Sequence, residues 1–368
     1  MGCGVISEVY LKNLRSFGIP VAAVADLDGE RAAARAEQFQ VPALTPDELL
    51  AHPDVDLILN LTVPKAHADI ARQALETGKH VHTEKPLALR TDDAKALVDF
   101  ARARGLRIGA APDTFLGSHL QTARKLLDDG WIGEPIGATA FMMSHGPERW
   151  HPNPDFFYQA GGGPMFDMGP YYLTALVHLM GPVRRVAGTA QTTFSTRVVE
   201  SPNRFGERIP VEIPTHVQAL LEFERGATGV LVTTFDVWHS ELPRIEIYGT
   251  EGTLAVPDPN NFGGTVRVRR RGADAWSPAP ALFGFSENRR GLAVADMALA
   301  IRDGRPHRAS GDLAMHVVEV MEAIHISARE ARHVEIVSRP ARPEPWPIGY
   351  DETALALDLQ GERQRDPS

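Results

Sequence analysis

The sequence predicts an α/β protein: a doubly wound parallel sheet comes first, then an α+β domain with a large open mixed or antiparallel sheet. Three observations predict it. Up to about residue 112, short apolar runs alternate with amphipathic helical stretches. Beyond that point the runs lengthen, alternate in polarity and are joined by turn residues. The length of 368 residues exceeds what one ordinary core accommodates.

The composition narrows the class. Hydrophobic residues at 43% and charged residues at 23% describe a folded globular chain rather than a disordered one. The 38 basic against 47 acidic residues leave a net charge of −9, which argues against a nucleic-acid partner. No apolar run reaches the roughly 18 residues of a membrane span, so no membrane association is expected. The N-terminus reads as no secretory signal. The single cysteine, Cys3, excludes an internal disulfide framework and a four-thiolate metal site. A reducing cytoplasm is the expected location, and no metal is expected.

In the first part, strands are expected at 21–25, 55–61, 80–82 and 106–109. Helical stretches at 64–77 and 92–104 lie between them, stopped by Gly78 and Gly105. Thr45-Pro46-Asp47-Glu48 supplies a cap, a proline at the first helical position and an acidic first turn. A helix over 120–129 then leads to strands at 136–144, 183–194, 217–223, 229–236 and 244–248. Glu224-Arg225-Gly226 and Gly249-Thr250-Glu251-Gly252 read as hairpin turns. Helices near 170–180 and 313–328 would cover one face of that second sheet. The division is therefore 1–112, 113–338 and a proline-rich tail, 339–368, expected to be loosely held.

The chemistry begins at the N-terminus. Met1-Gly2-Cys3-Gly4-Val5-Ile6-Ser7 is a Gly-x-Gly-x-x-small loop ahead of an amphipathic stretch, and Asp26 follows Gly4 by 22 positions. Glycines there allow a tight turn and close backbone approach to a pyrophosphate at a helix N-terminus. An acidic residue at that distance accepts the ribose hydroxyls and repels a 2′-phosphate, so NAD is expected over NADP. This makes the first domain Rossmann-like. Its opening strand is apparently missing, which would leave neighbouring strand edges unpaired, and an upstream natural start is expected.

Two further clusters stand out. Glu84-Lys85-Pro86 follows an expected strand at the sheet edge where ligands of open α/β sheets bind; read alone, it is a short loop with an ion pair. Gly161-Gly162-Gly163 removes side chains ahead of Asp167 and Tyr171, which project about one turn apart; read alone, it is a connector with an N-capping Asp. Competing sites fail. Gly78-Lys79 lacks a phosphate-loop frame, His80 and His82 sit on a buried strand, and the basic run 267–271 is read as a solvated strand end.

Together these residues resemble the glucose–fructose oxidoreductase/inositol dehydrogenase/rhizopine-catabolism (Gfo/Idh/MocA) family from residue 2 to about 335. The marks are the glycine loop, Thr62-x-Pro64-x-x-His67, Glu84-Lys85-Pro86, the triple glycine with Asp167 and Gly169, and 247–253. The resemblance implies an NAD(P)-dependent oxidoreductase with the nicotinamide cofactor on the first domain. A sugar, polyol or related carbohydrate would lie against the second. It implies catalytic roles for Lys85 and Asp167. It implies cofactor contacts from Gly2, Gly4, Val5, Ile6, Asp26, Thr62, Pro64, His67, Glu84, Lys85 and Trp150. A homodimer or homotetramer through the C-terminal sheet is expected.

Many members carry a histidine where this chain has Tyr171, and an aspartate where it has Thr174. Tyr171 is therefore expected to act as proton acceptor, its phenol pulled down by Lys85. Two alternatives remain at this point: an NAD-retaining lyase or glycosidase-type enzyme, and a nucleotide-dependent sugar-binding protein with weakened catalysis.

Overall fold

The structure, a computed structural model, describes residues 1–361. The first domain runs α1 (Ser7–Ser16), β1 (Val24–Ala25), α2 (Gly29–Phe39), β2 (Ala43–Leu44), α3 (Pro46–Ala51) and β3 (Leu57–Asn60). It continues with α4 (His67–Glu76), β4 (His80–Thr83), α5 (Thr91–Ala103) and β5 (Ile108–Ala110). All its strand pairs are parallel, β1 with β2 and β3-β4-β5 in order. The helix start at Thr45 forms as the sequence requires: its hydroxyl accepts from Glu48 N–H and the Glu48 carboxylate accepts from Thr45 N–H.

After α6 (Ser118–Asp128), the second domain opens with β6 (Pro135–Met143), α7 (Gly163–Met180) and β7 (Val183–Gln191). A short hairpin, β8 (Thr196–Val198) and β9 (Arg208–Pro210), follows. Then come β10 (His216–Phe223), β11 (Thr228–Thr234), β12 (Ile245–Gly249), β13 (Gly252–Val256), β14 (Arg267–Arg270) and β15 (Ser277–Pro278). The chain closes with α8 (Leu292–Asp303), α9 (Gly311–Glu330), β16 (Val334–Glu335) and α10 (Glu352–Gln360). Nine of these strands form one sheet, ordered β15-β14-β13-β12-β6-β11-β10-β7-β16. Only β6 and β11 pair in parallel, so the sheet is mixed. Helices α7 and α9 cover one face, and the other carries Phe141, Gln218, Leu220 and Tyr248, with no covering helix among the described residues.

Two expectations need correction. Helix α7 begins at Gly163, seven residues before Pro170, so Asp167 lies inside the helix and does not cap it. Nor is the tail loosely held as far as residue 361. Trp346, Tyr350 and Leu355 are buried, and the Trp346 indole N–H donates to Leu116 O at 3.0 Å. Its proline-rich composition hides these anchors; residues 362–368 of the tail lie outside the described residues. Helix α8 was not anticipated: it shows no amphipathic stripe because it is buried on most sides. It returns to the first domain and packs on α1. One apolar core consequently runs through both halves of the chain.

The start of the sheet shows how its order is kept. The Met1 ammonium donates to Leu59 O at 2.9 Å, Met1 O accepts from Leu61 N–H at 2.8 Å, and Gly2 N–H donates to Ala25 O at 2.8 Å. Met1 and Gly2 thus join β1 to β3. Burial of the terminal ammonium lowers its pKa to about 6. Behind it lies a cavity of about 520 Å³, lined by Ala23, Leu57, Leu59, Leu11, Val294 and neighbouring residues. Its walls are two strand edges and the apolar faces of α1 and α8. A variant carrying five additional apolar, β-branched residues ahead of Met1 is expected to melt higher by more than about 5 °C, from strand pairing and cavity filling. An unchanged melting temperature in calorimetry would show that the cavity does not accept a strand.

Candidate active site

The glycine loop leads straight into α1, whose first-turn N–H groups have no carbonyl four residues back to receive them. Gly2 has φ +91°, and a Cβ there would lie 2.6 Å from Leu61 O, so both conformation and space require glycine. At Gly4, a Cβ would meet nothing within 4 Å: the loop presents open space on that side. The Asp26 carboxylate accepts from Cys3 N–H at 2.7 Å and from Asp28 N–H at 2.9 Å, fixing strand end to loop. Around it Val5, Leu27 and Val63 are 91%, 96% and 65% exposed. Exposed apolar side chains beside a glycine loop, a helix N-terminus and an acidic strand end form a cradle that fits an adenine dinucleotide. Leu27 and Val63 could not be singled out in sequence, because an isolated apolar residue between polar neighbours carries no periodic signal.

The basic residue that reaches this loop is Arg35, not Arg31. Arg31 is 63% exposed at its side chain and paired with Asp28 at 3.0 Å. Arg35 extends along α2 to donate to Gly4 O at 3.3 Å and to pair with Glu8 at 3.4 Å.

The second cluster assembles at the C-terminal edge of β3 and β4. The Lys85 ammonium donates to the Asp167 carboxylate at 2.7 Å and to Asp167 O at 2.6 Å. Glu84 turns the other way: it accepts from Tyr10 O–H at 2.6 Å and from Lys85 N–H at 3.0 Å. The ion pair of Lys85 is therefore with Asp167 across the domain seam, not with its neighbour in sequence. Burial works against the ammonium, but Asp167, Tyr171 and Glu84 together hold its pKa above the ordinary lysine value.

Tyr171, one turn after Asp167 on α7, is buried with its ring centroid 5.2 Å from Lys85 Nζ. Burial raises its pKa; the charges of Lys85 and Arg290 oppose that rise without overcoming it. This corrects the expected phenolate: at neutral pH Tyr171 is a neutral phenol, a proton donor. His178 is excluded as a substitute. It is fully buried beside Gln121 and Arg124, and burial holds its pKa well below the histidine range.

Thr62 and Pro64 border the cradle, with the Thr62 hydroxyl donating to Asn60 Oδ1 at 2.7 Å. His67 does not face it. Its ring is 1% exposed and spans from Thr62 O (2.9 Å) to Pro86 O (2.7 Å), so it braces one site loop against the other.

Trp150 stands on the rim, 68% exposed, with its ring against His151 at 5.4 Å. The rim loop is fastened at both ends. Arg197 pairs with Glu148 at 3.3 Å and with Asp236 at 2.8 Å, and Arg204 pairs with Asp155. His151 Nδ1 accepts from Asn153 N–H at 3.1 Å, and the Asp167 charge acts on its ring.

Arg290, from the loop before α8, was not anticipated. It belongs to an Arg289-Arg290 pair that reads as surface charge, yet it is half-buried, with its guanidinium donating to Asn288 Oδ1 at 3.0 Å and to Asn260 Oδ1 at 2.8 Å, and its charge acts on Tyr171 and Tyr10.

A parallel dinucleotide cradle facing an ammonium, a carboxylate and a phenol defines a nucleotide-dependent oxidoreductase. Residues 1–111 match the oxidoreductase family with an NAD-binding Rossmann fold, and residues 120–255 match the GFO/IDH/MocA C-terminal domain. The chain belongs to the Gfo/Idh/MocA family of oxidoreductases.

Among its relatives is a dTDP-3,4-didehydro-2,6-dideoxy-alpha-D-glucose 3-reductase of Streptomyces violaceoruber, 30% identical over 85% of this chain and 87% of that protein. A D-apiose dehydrogenase of Paraburkholderia graminis is 25% identical over 93% of this chain and 90% of its own. Among solved structures, levoglucosan dehydrogenase in complex with NADH and L-sorbose superposes with TM-score 0.77 at 21% identity, over 92% of this chain and 97% of that one.

Proposed function

We propose that this enzyme transfers hydride between NAD and a hydroxyl-bearing or carbonyl carbon of a sugar, polyol or related carbohydrate. The observation that carries the reading is the Lys85–Asp167 contact across the seam, with Tyr171 beside it, at the sheet edge below the cradle. The named relatives, which include reductases and dehydrogenases of sugars, support the substrate class. When bound, the nicotinamide supplies or accepts the hydride.

The chain's own residues manage charge and protons. In the reductive direction, Lys85 stabilises the negative charge that builds on the substrate oxygen, and Tyr171, a neutral phenol, delivers the proton to it. In the oxidative direction the same oxygen gives its proton to Tyr171 once the phenol has itself lost its proton to solvent, so oxidation gains from high pH. Asp167 holds the ammonium in place and accepts from a neighbouring substrate hydroxyl. Trp150 offers an apolar face at the rim, suited to a sugar ring.

The retained Lys85 and Asp167 favour turnover over a binding protein. The uncovered face of the nine-stranded sheet, with Leu220 and Phe141 on it, supports a homodimer or homotetramer formed through that face.

A panel of sugars and polyols with NAD, followed at the NADH absorbance, is expected to give steady NADH release with at least one member. The same substrate should give no detectable turnover in Lys85→Met, while NAD binds that variant within a few-fold of the parent. NADH release unaffected by the loss of Lys85 would refute its role.

Tyr171→Phe is expected to lower turnover by about 10²–10⁴ and, with NADH and the carbonyl substrate, to remove the basic limb of the pH–rate profile. An unchanged rate and profile would leave the phenol a wall of the pocket.

The Asp26 carboxylate supports NAD over NADP, since a 2′-phosphate would lie against it with Arg31 held away by Asp28. Asp26→Ser is expected to shift the NAD/NADP preference toward NADP by about tenfold or more; a preference that stays put in competition kinetics would assign cofactor choice elsewhere.

A further inference from the structure

The rim loop between β6 and α7 is fixed more firmly than a connector requires. Its backbone turns on Pro147, whose carbonyl accepts from Trp150 N–H at 3.1 Å and from His151 N–H at 2.9 Å. Pro152 and Pro154 then set φ on either side of Asn153. The β8–β9 hairpin clamps both ends. Arg197 pairs with Glu148 at 3.3 Å, Glu148 O accepts from Glu200 and Ser201 N–H at 2.9 and 3.0 Å, and Arg204 pairs with Asp155.

The same loop is seated against the reacting pair. A Cβ at Gly162 would lie 2.4 Å from Phe156 O and 2.7 Å from Phe157 O, so this stretch lies directly on the start of α7, the helix of Asp167. A Cβ at Gly161 would meet Leu89 at 2.8 Å, in the segment that follows Lys85.

Within the loop, the His151 ring stands edge-on to Trp150, Phe156 and Phe157, with centroids 5.4, 5.3 and 5.1 Å away. Its Nδ1 accepts from Asn153 N–H at 3.1 Å, which leaves the proton of the neutral ring on Nε2. Burial lowers the pKa of the ring and favours that neutral form. Among the described residues no acceptor lies within hydrogen-bond distance of Nε2–H or of the Trp150 indole N–H. A ring placed there only to pack would need neither a fixed tautomer nor a free donor, and a phenyl group would serve.

We infer that His151 is a substrate-binding residue: its Nε2–H donates to a hydroxyl oxygen away from the reacting carbon, on a sugar ring that lies against Trp150. The inference rests on the reading that a carbohydrate occupies the site, and it specifies an uncharged one. A sugar hydroxyl accepts from a neutral N–H, and the C–H face beside it suits an indole. A carboxylate or phosphate would find no cation in a neutral imidazole and an indole. A contact remote from the reacting carbon holds ground state and transition state alike, so its loss belongs in KM and not in kcat.

The test compares His151→Phe, which keeps an aromatic ring without a donor, His151→Leu, and His151→Gln, whose amide restores a donor. With a sugar that turns over, KM is expected to rise by about 3- to 10-fold in the Phe and Leu variants and to recover in part in the Gln variant. Turnover number, NAD affinity and melting temperature should stay close to the parent. Among monodeoxy analogues of that sugar, the one lacking the accepting hydroxyl should show no further loss in His151→Phe, because the contact is already gone. A parent-like KM in His151→Phe would assign the ring to packing and overturn the inference. An equal penalty for every deoxy analogue would overturn it too.

Calorimetric titration of the NADH-loaded enzyme with the sugar panel, D-glucose, D-xylose and myo-inositol included, reads the same contact without turnover. At least one member is expected to bind the parent, and to bind His151→Phe more weakly by the same factor. That result with no NADH formed from any sugar would support the inference and put the hydride-transfer reading at fault. A panel of which no member binds the parent would overturn the inference together with the substrate class.

Discussion

An ammonium and a carboxylate meet in the seam between two sheets, and the site is built around that contact. Lys85 and Asp167 approach to 2.7 Å with side chains 15% and 23% exposed. Removing one partner of so buried a pair leaves an uncompensated charge, at a cost of roughly 3–5 kcal/mol. The pair therefore fixes the edge of the parallel sheet against helix α7. Tyr171 follows from it, because one helical turn carries the phenol to the same face as Asp167. The ammonium acts on that phenol through its charge, at 5.2 Å from the ring, while its hydrogen bonds go to Asp167.

The cofactor cradle is tied to this contact by α1. At its start lies the glycine loop, strapped to Asp26 by a backbone hydrogen bond. One turn on, Tyr10 donates to Glu84, and a further turn brings Asn13 under the Arg290 loop. One helix thus touches the nucleotide loop, the Glu84-Lys85 edge and the loop before α8. His67 adds a second tie, joining the Thr62 loop to Pro86. On the substrate side, Arg197 and Arg204 hold the rim loop at both ends while leaving Trp150 and His151 at its middle. The site sits on strand ends and helices that these contacts tie together.

Much of this was legible in the chain. Period-two alternation placed β10 within a residue, because a sheet with one open face keeps its polar and apolar positions distinct. Capping chemistry placed α3 for an equally local reason. The cradle was legible from Gly2, Gly4 and Asp26, since turn geometry and strand length fix their spacing. Helix α8 was not, because a helix buried on most sides lacks the stripe that betrays amphipathic ones. The tail misled for the opposite reason: proline and charge dominate its composition, while a few anchors such as Trp346 decide its placement.

The sequence by itself determined which residues could do chemistry and the order of the elements that carry them, because spacing along a strand or helix is a local property. The tertiary structure decided which of those residues meet. It turned Lys85 from Glu84 to Asp167, moved His67 from the cradle wall into the brace beneath it, and half-buried Arg290 in a stretch that reads as surface. It also decided the protonation of Tyr171. A phenol's charge depends on how much water is excluded and on which cations remain uncommitted nearby, and both are set by chain segments more than a hundred residues apart.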